Sequence, residues 1–211
     1  MNALIIASGS IKNYNLLKTV AEKCDFLLCV DGGVDHLLEI GLQPNMVFGD
    51  LDSISQNGLN FIEKNNIPIT RFSSIKNSTD TELAIDYLIS YKYTEIVLMG
   101  VTGSRQDHTL ANIFLLNYLL ENNIRGKIID SNNIIYLIDD YLKLKKLEGY
   151  YTSLIPIGEN GVTLTLEGFY YNLDNYFIAF GSTLGVSNKI IKSCGKIKIL
   201  QGKALVFHSK D

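Results

Sequence analysis

Three short apolar runs constrain the fold of this 211-residue chain more than any other feature of its sequence. They are residues 3–7 (ALIIA), 26–30 (FLLCV) and 96–101 (IVLMGV). A strand with one face in water alternates apolar and polar residues, whereas a strand covered on both faces is apolar throughout. The runs therefore predict the central strands of a parallel sheet that has helices on both sides.

Helical patterns separate these runs. Apolar residues recur three and four positions apart in two segments: Leu83, Ala84, Tyr87, Leu88 and Tyr91 in one, and Leu110, Ile113, Phe114 and Tyr118 in the other. This spacing predicts amphipathic helices. Strands that alternate with helices indicate an α/β domain with a mostly parallel sheet.

The pattern changes near residue 140. Short segments of alternating polarity, separated by Gly and Asn, follow at residues 162–166, 189–192, 196–199 and 204–207. They predict a smaller antiparallel all-β sandwich. We therefore expect an α/β domain over residues 1–140 and a β-sandwich domain over residues 141–211, with residues 141–149 as the junction.

Composition excludes several classes of protein. The net charge is −3 and no block of like charges occurs, which argues against a nucleic-acid partner. No apolar run approaches the ~18 residues that span a bilayer, so no membrane association is expected. The first ten residues lack a signal-peptide pattern, and the three cysteines form no CxxC pair. These features predict a soluble, cytoplasmic protein with reduced thiols.

Four clusters of unusual residues follow predicted strands. They are Asp31-Gly32-Gly33, residues 49–53 (GDLDS), residues 76–84 (KNSTDTELA, of which STDTELA is the motif) and residues 100–108 (GVTGSRQDH). Ligands of open parallel sheets bind beyond the carboxyl ends of the strands. In an extended chain Asp50 and Asp52 would point to the same side roughly 7 Å apart, where they repel by about 2 kcal/mol.

Each cluster also has a simpler explanation. Asp31-Gly32 is a common turn dipeptide, and Asp50 and Asp52 could be solvated loop carboxylates. Thr79 and Glu82 form a capping box, so Asp80 could be an acid favoured by the helix dipole. Asp107 could be the N-cap of the next helix, and Arg105 a surface residue.

The shared position of the clusters favours a ligand site. The five carboxylates Asp31, Asp50, Asp52, Asp80 and Asp107 would repel one another unless a cation neutralised them. An all-carboxylate set suits Mg²⁺, and glycine-bearing turns beside Arg105 suit phosphate oxygens. Together they indicate nucleotide-dependent phosphoryl chemistry, although the P-loop, dinucleotide and protein-kinase motifs are absent from the sequence.

The four clusters, in this order and spacing, resemble the thiamine pyrophosphokinase family. Two C-terminal segments add to the resemblance: residues 168–173 (GFYYNL) and residues 185–188 (GVSN). The resemblance extends over essentially the whole chain. It implies transfer of the diphosphoryl group of ATP to the hydroxyl of thiamine, giving AMP and thiamine diphosphate. It also implies a homodimer in which the vitamin binds at the subunit interface.

The resemblance implies a role for individual residues. Asp50, Asp52 and Asp80 would bind Mg²⁺, and with Asp107 would form the catalytic set. Residues that would bind ATP and its metal are Asp31, Gly32, Gly33, Lys76, Thr79, Gly103, Ser104, Arg105 and His108. Tyr171 would stack on the thiamine pyrimidine, and Ser187 and Asn188 would hydrogen-bond to the vitamin.

Simpler explanations remain for the thiamine residues, and other functions for the whole chain. Tyr171 could be a core aromatic of the sandwich, and Ser187-Asn188 a plain turn. The family often has an acid where this chain has Asn77, which is therefore left out of the metal ligands. The alternatives for the chain are a phosphotransferase that acts on another small alcohol, or a non-catalytic thiamine or nucleotide sensor.

Overall fold

The computed structural model describes residues 1–71 and 78–211, which form two compact units, Met1–Ser131 and Asn132–Asp211. Lys76 and Asn77, for which the sequence makes predictions, lie outside the described residues. Within the described ranges, no helix is both long and apolar enough to cross a membrane.

The first unit is built on a parallel sheet of six strands in the order β4-β3-β2-β1-β5-β6. The strands are β1 (Asn2–Ile6), β2 (Phe26–Val30), β3 (Met46–Phe48), β4 (Ile69–Thr70), β5 (Glu95–Met99) and β6 (Arg125–Ile129). The apolar runs predicted to be central strands form β1, β2 and β5, and most of their side chains are buried on both faces of the sheet, while Phe26 and Leu27 are partly buried.

Helices cover both faces of this sheet. They are α1 (Tyr14–Ala21), α2 (Gly33–Glu39), α3 (Gln56–Lys64), α4 (Asp80–Ser90) and α5 (Gln106–Glu121). Leu4 and Ile6 share one core cluster with side chains of α1, α2 and α3. Helix α4 packs on β1 and β2, and α5 on β6. Because β1 is buried from both sides, each fully buried Leu or Ile in it contributes about 1.5–3 kcal/mol to stability.

The helices of this unit have defined ends. The side chains of Asn13, Ser55 and Thr79 accept a backbone N–H at the starts of α1, α3 and α4. Helices α3, α4 and α5 are each followed by a residue in the left-handed conformation: Asn66 (φ 50°), Lys92 (φ 61°) and Asn123 (φ 59°). Glycine is the usual residue at such a position, because it has no Cβ.

The second unit is an antiparallel sandwich. One of its sheets has the order β7-β13-β9 and the other β11-β10-β12-β8. The strands are β7 (Asn133–Ile138), β8 (Tyr141–Lys145), β9 (Tyr151–Ile157), β10 (Val162–Glu167), β11 (Leu173–Ile178), β12 (Cys194–Gln201) and β13 (Lys203–Ser209). Side chains from both sheets, among them Leu154, Leu164, Ile197 and Val206, form a single core. The predicted fold class is therefore confirmed.

Details of the second unit differ from the sequence predictions. Strand β7 belongs to this unit, since it pairs along its length with β13, although the sequence placed the change of architecture after residue 140. Residues 141–145, predicted as a junction, form β8 and pair with β12. Residues 189–192, predicted as a strand, contain only the isolated bridge between Phe169 and Ile190.

Candidate active site

The residues predicted to bind a nucleotide gather at one edge of the first unit. Strands β1–β6 run parallel, so their carboxyl ends lie along the same edge of the sheet. The loops after β2, β3 and β5 contain Asp31, Asp50 and Arg105, and α4 begins at Asp80. This is the edge at which ligands of open α/β sheets bind.

The loops after β2 and β3 are locked together by backbone contacts. The Asp31 N–H donates to the Phe48 carbonyl at 2.8 Å, and the Gly32 N–H donates to Ser53 Oγ at 3.1 Å. Gly49 has φ +132°, and a Cβ at this position would overlap Asp31 Oδ1. Only glycine allows this approach, so the position of Asp31 depends on Gly49. Ser53 closes GDLDS, but sequence reasoning assigned it no role.

The two loops also fix the helices that follow them. Gly33 begins α2 and is buried, as is Gly32 before it. On α2, Asp35 accepts the backbone N–H of Ser55 at 3.0 Å and its hydroxyl at 2.6 Å. Because Ser55 is the N-cap of α3, Asp35 ties the starts of α2 and α3 to each other.

The segment that contains Asp50 and Asp52 is a tight turn. The prediction of an extended chain here is wrong, because Leu51 has φ +72° and the Asp52 N–H donates to Asp50 Oδ1 at 3.1 Å. Leu51 is partly buried and packs against the core of the first unit, while both carboxylates are exposed. The turn thus presents two acids to solvent on either side of a residue that contacts the core.

Two non-glycine residues of these loops have a left-handed backbone, Asp31 (φ 50°) and Leu51 (φ 72°). This conformation is uncommon for residues with a Cβ, and such residues cluster at functional sites. Among the described residues, three of the others that share it follow helices, where the conformation is routine. The strain at Asp31 and Leu51 therefore supports a functional role for the two loops.

The start of α4 has the predicted cap. Thr79 Oγ1 accepts the Glu82 N–H at 3.2 Å, and Asp80 is the first residue of the helix and is partly buried. An acid in the first turn of a helix is favoured by the helix dipole. The geometry is therefore compatible with either explanation of Asp80, as a dipole partner or as a metal ligand.

Arg105 and Asp107 form a bidentate ion pair at the start of α5. Arg105 Nη2 donates to Asp107 Oδ2 at 2.6 Å, and Nε donates to Oδ1 at 3.3 Å. These hydrogen bonds lower the pKa of Asp107 and raise that of Arg105. The helix begins at Gln106 with Arg105 as its N-cap, so the interpretation of Asp107 as an N-cap is wrong.

The loop before α5 is exposed and closed on itself. The Gly103 N–H donates to Thr109 Oγ1 at 3.1 Å, while Ser104 and His108 face solvent. The loop is therefore held to α5 by Thr109, and the polar side chains of Ser104 and His108 are accessible to solvent. These polar groups, together with the Arg105 guanidinium, can donate hydrogen bonds to phosphate oxygens.

These residues fit Mg²⁺ by the chemistry of their donor atoms. Asp50, Asp52 and Asp80 offer only carboxylate oxygens, the ligands that Mg²⁺ prefers. Within residues 1–71 and 78–211, however, no three acids, histidines or cysteines come together as a metal site. The five predicted carboxylates thus lie in loops at one edge of the sheet without forming a complete metal site among these residues. Mg²⁺ commonly takes one or two carboxylates with waters and substrate phosphates, so a complete protein cage is not required.

The second unit contains the other predicted residues. Tyr171 is 66% exposed, and its ring meets that of Tyr170 edge-on at 4.8 Å between centroids. The interpretation of Tyr171 as a core aromatic is therefore wrong. An exposed aromatic ring offers a face on which a flat heterocycle can stack.

The side chain of Asn188 holds the backbone of Tyr171 through hydrogen bonds. Asn188 is buried, its Oδ1 accepts the Tyr171 N–H at 3.1 Å, and its Nδ2 donates to the Tyr171 carbonyl at 2.8 Å. The same Oδ1 accepts the Lys189 N–H at 2.9 Å. The Asn188 backbone pairs with Thr152 of β9. The side chain thus fixes the loop that presents Tyr171, a role that the sequence did not reveal.

Ser187, the residue before Asn188, is the third residue predicted to bind thiamine. It is exposed, it has φ +62°, and its N–H donates to Ser153 Oγ at 3.0 Å. A left-handed residue is common in turns, so this geometry is compatible with either explanation of Ser187, as part of a plain turn or as a ligand of the vitamin.

Comparisons with known proteins match both units. The family model described as thiamin pyrophosphokinase, catalytic domain, covers residues 17–128, and the model described as its vitamin B1 binding domain covers residues 138–203. The curated thiamine pyrophosphokinase of Bacillus subtilis is 37% identical over the full length of both chains. The chain belongs to the thiamine pyrophosphokinase family.

Solved structures of thiamine pyrophosphokinases agree with this family assignment. The Bacillus subtilis crystal structure superposes with a TM-score of 0.92 at 33% identity and covers all of both chains. The one from Geobacillus thermodenitrificans gives 0.88 at 28% identity, covering 100% of this chain and 98% of its own. The resemblance inferred from the six motifs is therefore confirmed, whereas the roles of the individual residues stay predictions.

Proposed function

We propose that this protein transfers the diphosphoryl group of ATP to the hydroxyl of thiamine, giving thiamine diphosphate and AMP. The observation that carries the proposal is the locked pair of loops that presents Asp31, Asp50 and Asp52 at the carboxyl edge, in a chain of this family. Family membership does not favour the alternatives, another small alcohol or a sensor without activity.

The nucleotide would lie along the carboxyl edge. Arg105 would pair with the triphosphate, assisted by Gly103, Ser104, His108 and the loop of Gly32 and Gly33, with Thr79 and Lys76 completing the set. The alcohol must lose its proton as its oxygen attacks the β-phosphorus, and a carboxylate within hydrogen-bond reach accepts it. Most of the rate enhancement would come from alignment of the two reactants.

Mg²⁺ belongs to the same proposal. Asp50, Asp52 and Asp80 would hold it together with phosphate oxygens, with Asp107 nearby once Arg105 turns to the triphosphate. When bound, the ion neutralises charge on the transferring group. Titration calorimetry of ATP with and without Mg²⁺ tests this independently of turnover, because ATP should bind the wild-type protein more weakly without the metal.

The second unit would supply the thiamine-binding groups. Tyr171 would stack on the pyrimidine, and the exposed Ser187 hydroxyl would hydrogen-bond to the vitamin. Asn188 already uses Oδ1 and one Nδ2 proton on the backbone, so only its second Nδ2 proton can reach a ligand. Its main contribution would therefore be to position Tyr171.

A homodimer with active sites at the subunit interface completes the proposal. Among the described residues, eighteen large hydrophobic side chains are exposed, and twelve of them lie in the second unit. Phe177, Phe180 and Leu184 are among those twelve. Such a concentration on the smaller unit is typical of a protein–protein interface. Sedimentation equilibrium should therefore give twice the chain mass. A cytoplasmic location stays a prediction.

The test is incubation with Mg·ATP and thiamine. We expect equal amounts of AMP and thiamine diphosphate, resolved by anion-exchange chromatography. ADP with thiamine monophosphate, or no turnover, would contradict the proposed reaction. Replacing thiamine by other primary alcohols in parallel distinguishes this function from a transferase with a different acceptor.

A further inference from the structure

The loop after β1 lies between two of the loops proposed to bind the nucleotide. The Gly9 N–H donates to the Gly100 carbonyl at 2.7 Å, and a Cβ on Gly9 would overlap the carbonyl oxygens of Gly100 and Thr102 in the loop after β5. On the other side, a Cβ on Gly32 would stand 3.2 Å from the Cβ of Ser8. The loop after β1 therefore contacts both the loop after β2 and the loop after β5.

His36, on α2, holds the loop after β1 through the carbonyl of Gly9. Its Nε2 lies 2.9 Å from that carbonyl oxygen, in a partly buried contact. Because a carbonyl can only accept, Nε2 carries the proton and donates it to the hydrogen bond. The preceding residue, Asp35, ties α2 to the start of α3 through Ser55. Two consecutive residues of α2 thus hold two different loops of the carboxyl edge.

The hydroxyl of Tyr14 sets the tautomer of His36 that this contact needs. The hydroxyl oxygen lies 3.1 Å from Nδ1, and the centroids of the two rings are 5.9 Å apart. In a neutral imidazole whose Nε2 is protonated, Nδ1 is an acceptor, so the hydroxyl donates to it. The bond made by one ring nitrogen decides which nitrogen carries the proton.

The contacts form one chain of hydrogen bonds that runs in a single direction. The Tyr14 hydroxyl donates to His36, His36 donates to the Gly9 carbonyl, and the Gly9 N–H donates to the Gly100 carbonyl. Hydrogen bonds in series polarise and strengthen one another in partly buried surroundings. The chain therefore connects α1 and α2 to the backbone at the end of β5.

The loop at the end of this chain is also held from α5. Asn112 Nδ2 donates to the Val101 carbonyl at 2.8 Å, and the Gly103 N–H donates to Thr109 Oγ1. The backbone between Gly100 and Gly103 is thus fixed from both of its sides, and His36 supplies the side that faces the loops after β1 and β2.

We propose that His36 is a positioning residue for the triphosphate of ATP. Gly100 precedes Gly103 by three residues and Arg105 by five, so a shift of Gly100 moves the groups proposed to bind the phosphates. His36 does not touch the nucleotide in this scheme. It sets the alignment of the triphosphate through Gly9, and small errors of alignment are costly to phosphoryl transfer. The inference rests on the proposed use of ATP.

The first test compares two amides at position 36. The side-chain nitrogen of glutamine reaches about as far as Nε2 of histidine, whereas that of asparagine reaches only as far as Nδ1. His36→Gln therefore keeps the donor to Gly9, and His36→Asn loses it. We expect kcat to fall about tenfold in His36→Asn and to stay within about twofold of the wild type in His36→Gln. The KM for thiamine should be unchanged in both.

Glu39→Gln, at an exposed position of the same helix, is the matched control and should have the kcat of the wild type. All assays are run well below the unfolding temperature measured by circular dichroism. A role in stability alone would lower the melting temperature of His36→Asn and leave its kcat unchanged. That result, or an equal fall of kcat in His36→Gln, would overturn the proposal.

A second variant leaves His36 in place and guards against a folding defect. Tyr14 is 37% exposed, so Tyr14→Phe should keep the fold while it frees Nδ1. Heteronuclear NMR of the histidine rings should show His36 protonated at Nε2 in the wild type and a mixture of tautomers in Tyr14→Phe, with kcat lowered about threefold. A wild-type ring protonated at Nδ1 would contradict the chain of hydrogen bonds.

Calorimetry separates this inference from the proposed function. A wild-type protein that does not bind Mg·ATP would overturn both. If the protein binds Mg·ATP but does not act on thiamine, the acceptor is wrong and the role of His36 is still decided by binding of inorganic tripolyphosphate. His36→Asn should bind this probe about threefold more weakly than His36→Gln, as for one weakened hydrogen bond. Equal binding by the two variants would overturn the inference alone.

Discussion

The two units hold their candidate functional groups by opposite means. At the carboxyl edge of the first unit, exposed acids stand on loops that are locked by backbone contacts around Gly49. In the second unit, exposed Tyr171 stands on a loop that is locked by the buried side chain of Asn188. The groups that would perform chemistry are therefore distinct from those that keep the fold, and substitutions should separate the two.

The largest effect on activity is expected for substitution of the candidate Mg²⁺ ligands Asp50 and Asp80. Asp50→Asn and Asp80→Asn should each lower kcat by about a thousandfold, because each removes a carboxylate proposed to hold the Mg²⁺ that neutralises the transferring phosphates. Both proteins should melt within about 2 °C of the wild type, since substitutions at such exposed or partly exposed positions change stability little. AMP release and circular dichroism measure the two quantities. Near-normal turnover in either variant would refute the metal assignment.

The second effect concerns the backbone lock. Gly49→Ala should destabilise the protein by about 1–3 kcal/mol, because a Cβ overlaps Asp31 Oδ1 and the backbone has positive φ. Gly103→Ala is the matched control for stability, since open space surrounds that position. Urea unfolding of the two variants measures the difference. Equal unfolding free energies would show that the two loops are not locked as described.

The third prediction compares Asn188, which holds the loop, with Tyr171, which the loop presents. Asn188→Ala removes three hydrogen bonds of a buried amide and should cost about 2 kcal/mol. It should also raise the KM for thiamine. Tyr171→Ala should raise that KM about tenfold, as for loss of one stacked aromatic, and leave stability unchanged. A stable Asn188→Ala protein with a raised KM would instead make Asn188 a direct ligand of the vitamin.

The smallest effect is a dependence of stability on pH. His208 is buried, and burial lowers its pKa. Between this lowered pKa and the value of about 6.5 in the unfolded chain, the unfolded state binds more protons, so stability falls as pH falls through that window. His208 Nδ1 lies 3.1 Å from Oγ1 of Thr152, and the backbone of Thr152 pairs with that of Asn188.

Thermal unfolding checks this dependence. Between pH 8 and pH 5.5 the wild-type protein should lose more of its melting temperature than His208→Gln, because glutamine does not titrate. Identical losses in the two proteins would show that protonation of His208 does not contribute.

The sequence predicts the architecture well because burial leaves a pattern in it. The apolar runs that form most of β1, β2 and β5 arise because helices cover these strands on both faces, and Thr79 caps α4 through the expected hydroxyl. The pattern is weaker on the long helix α5. Leu110 and Phe114 belong to its apolar series but are about half exposed, while Leu116 and Leu119 are buried. A helix that is apolar on most of its surface does not reveal which side packs.

The loops were predictable in position but not in geometry. The left-handed backbone of Leu51 turns Asp50 and Asp52 out of an extended chain, and no local pattern of residues indicates such a φ. The sequence does not predict that Asn188 holds the backbone of Tyr171, because a contact between residues 17 positions apart has no local sequence signature. Such contacts depend on the tertiary structure.

The left-handed residue after α4 leaves stability unrealised. Lys92 adopts a conformation in which its Cβ is unfavourable by about 1 kcal/mol, whereas the asparagines after α3 and α5, Asn66 and Asn123, are of a type that tolerates it. Since these helices return from the carboxyl edge, their ends lie at the opposite edge of the sheet. Lys92→Gly should therefore raise the stability of the protein by a part of that amount, because glycine also gains freedom in the unfolded chain, and it should leave the kinetics unaltered.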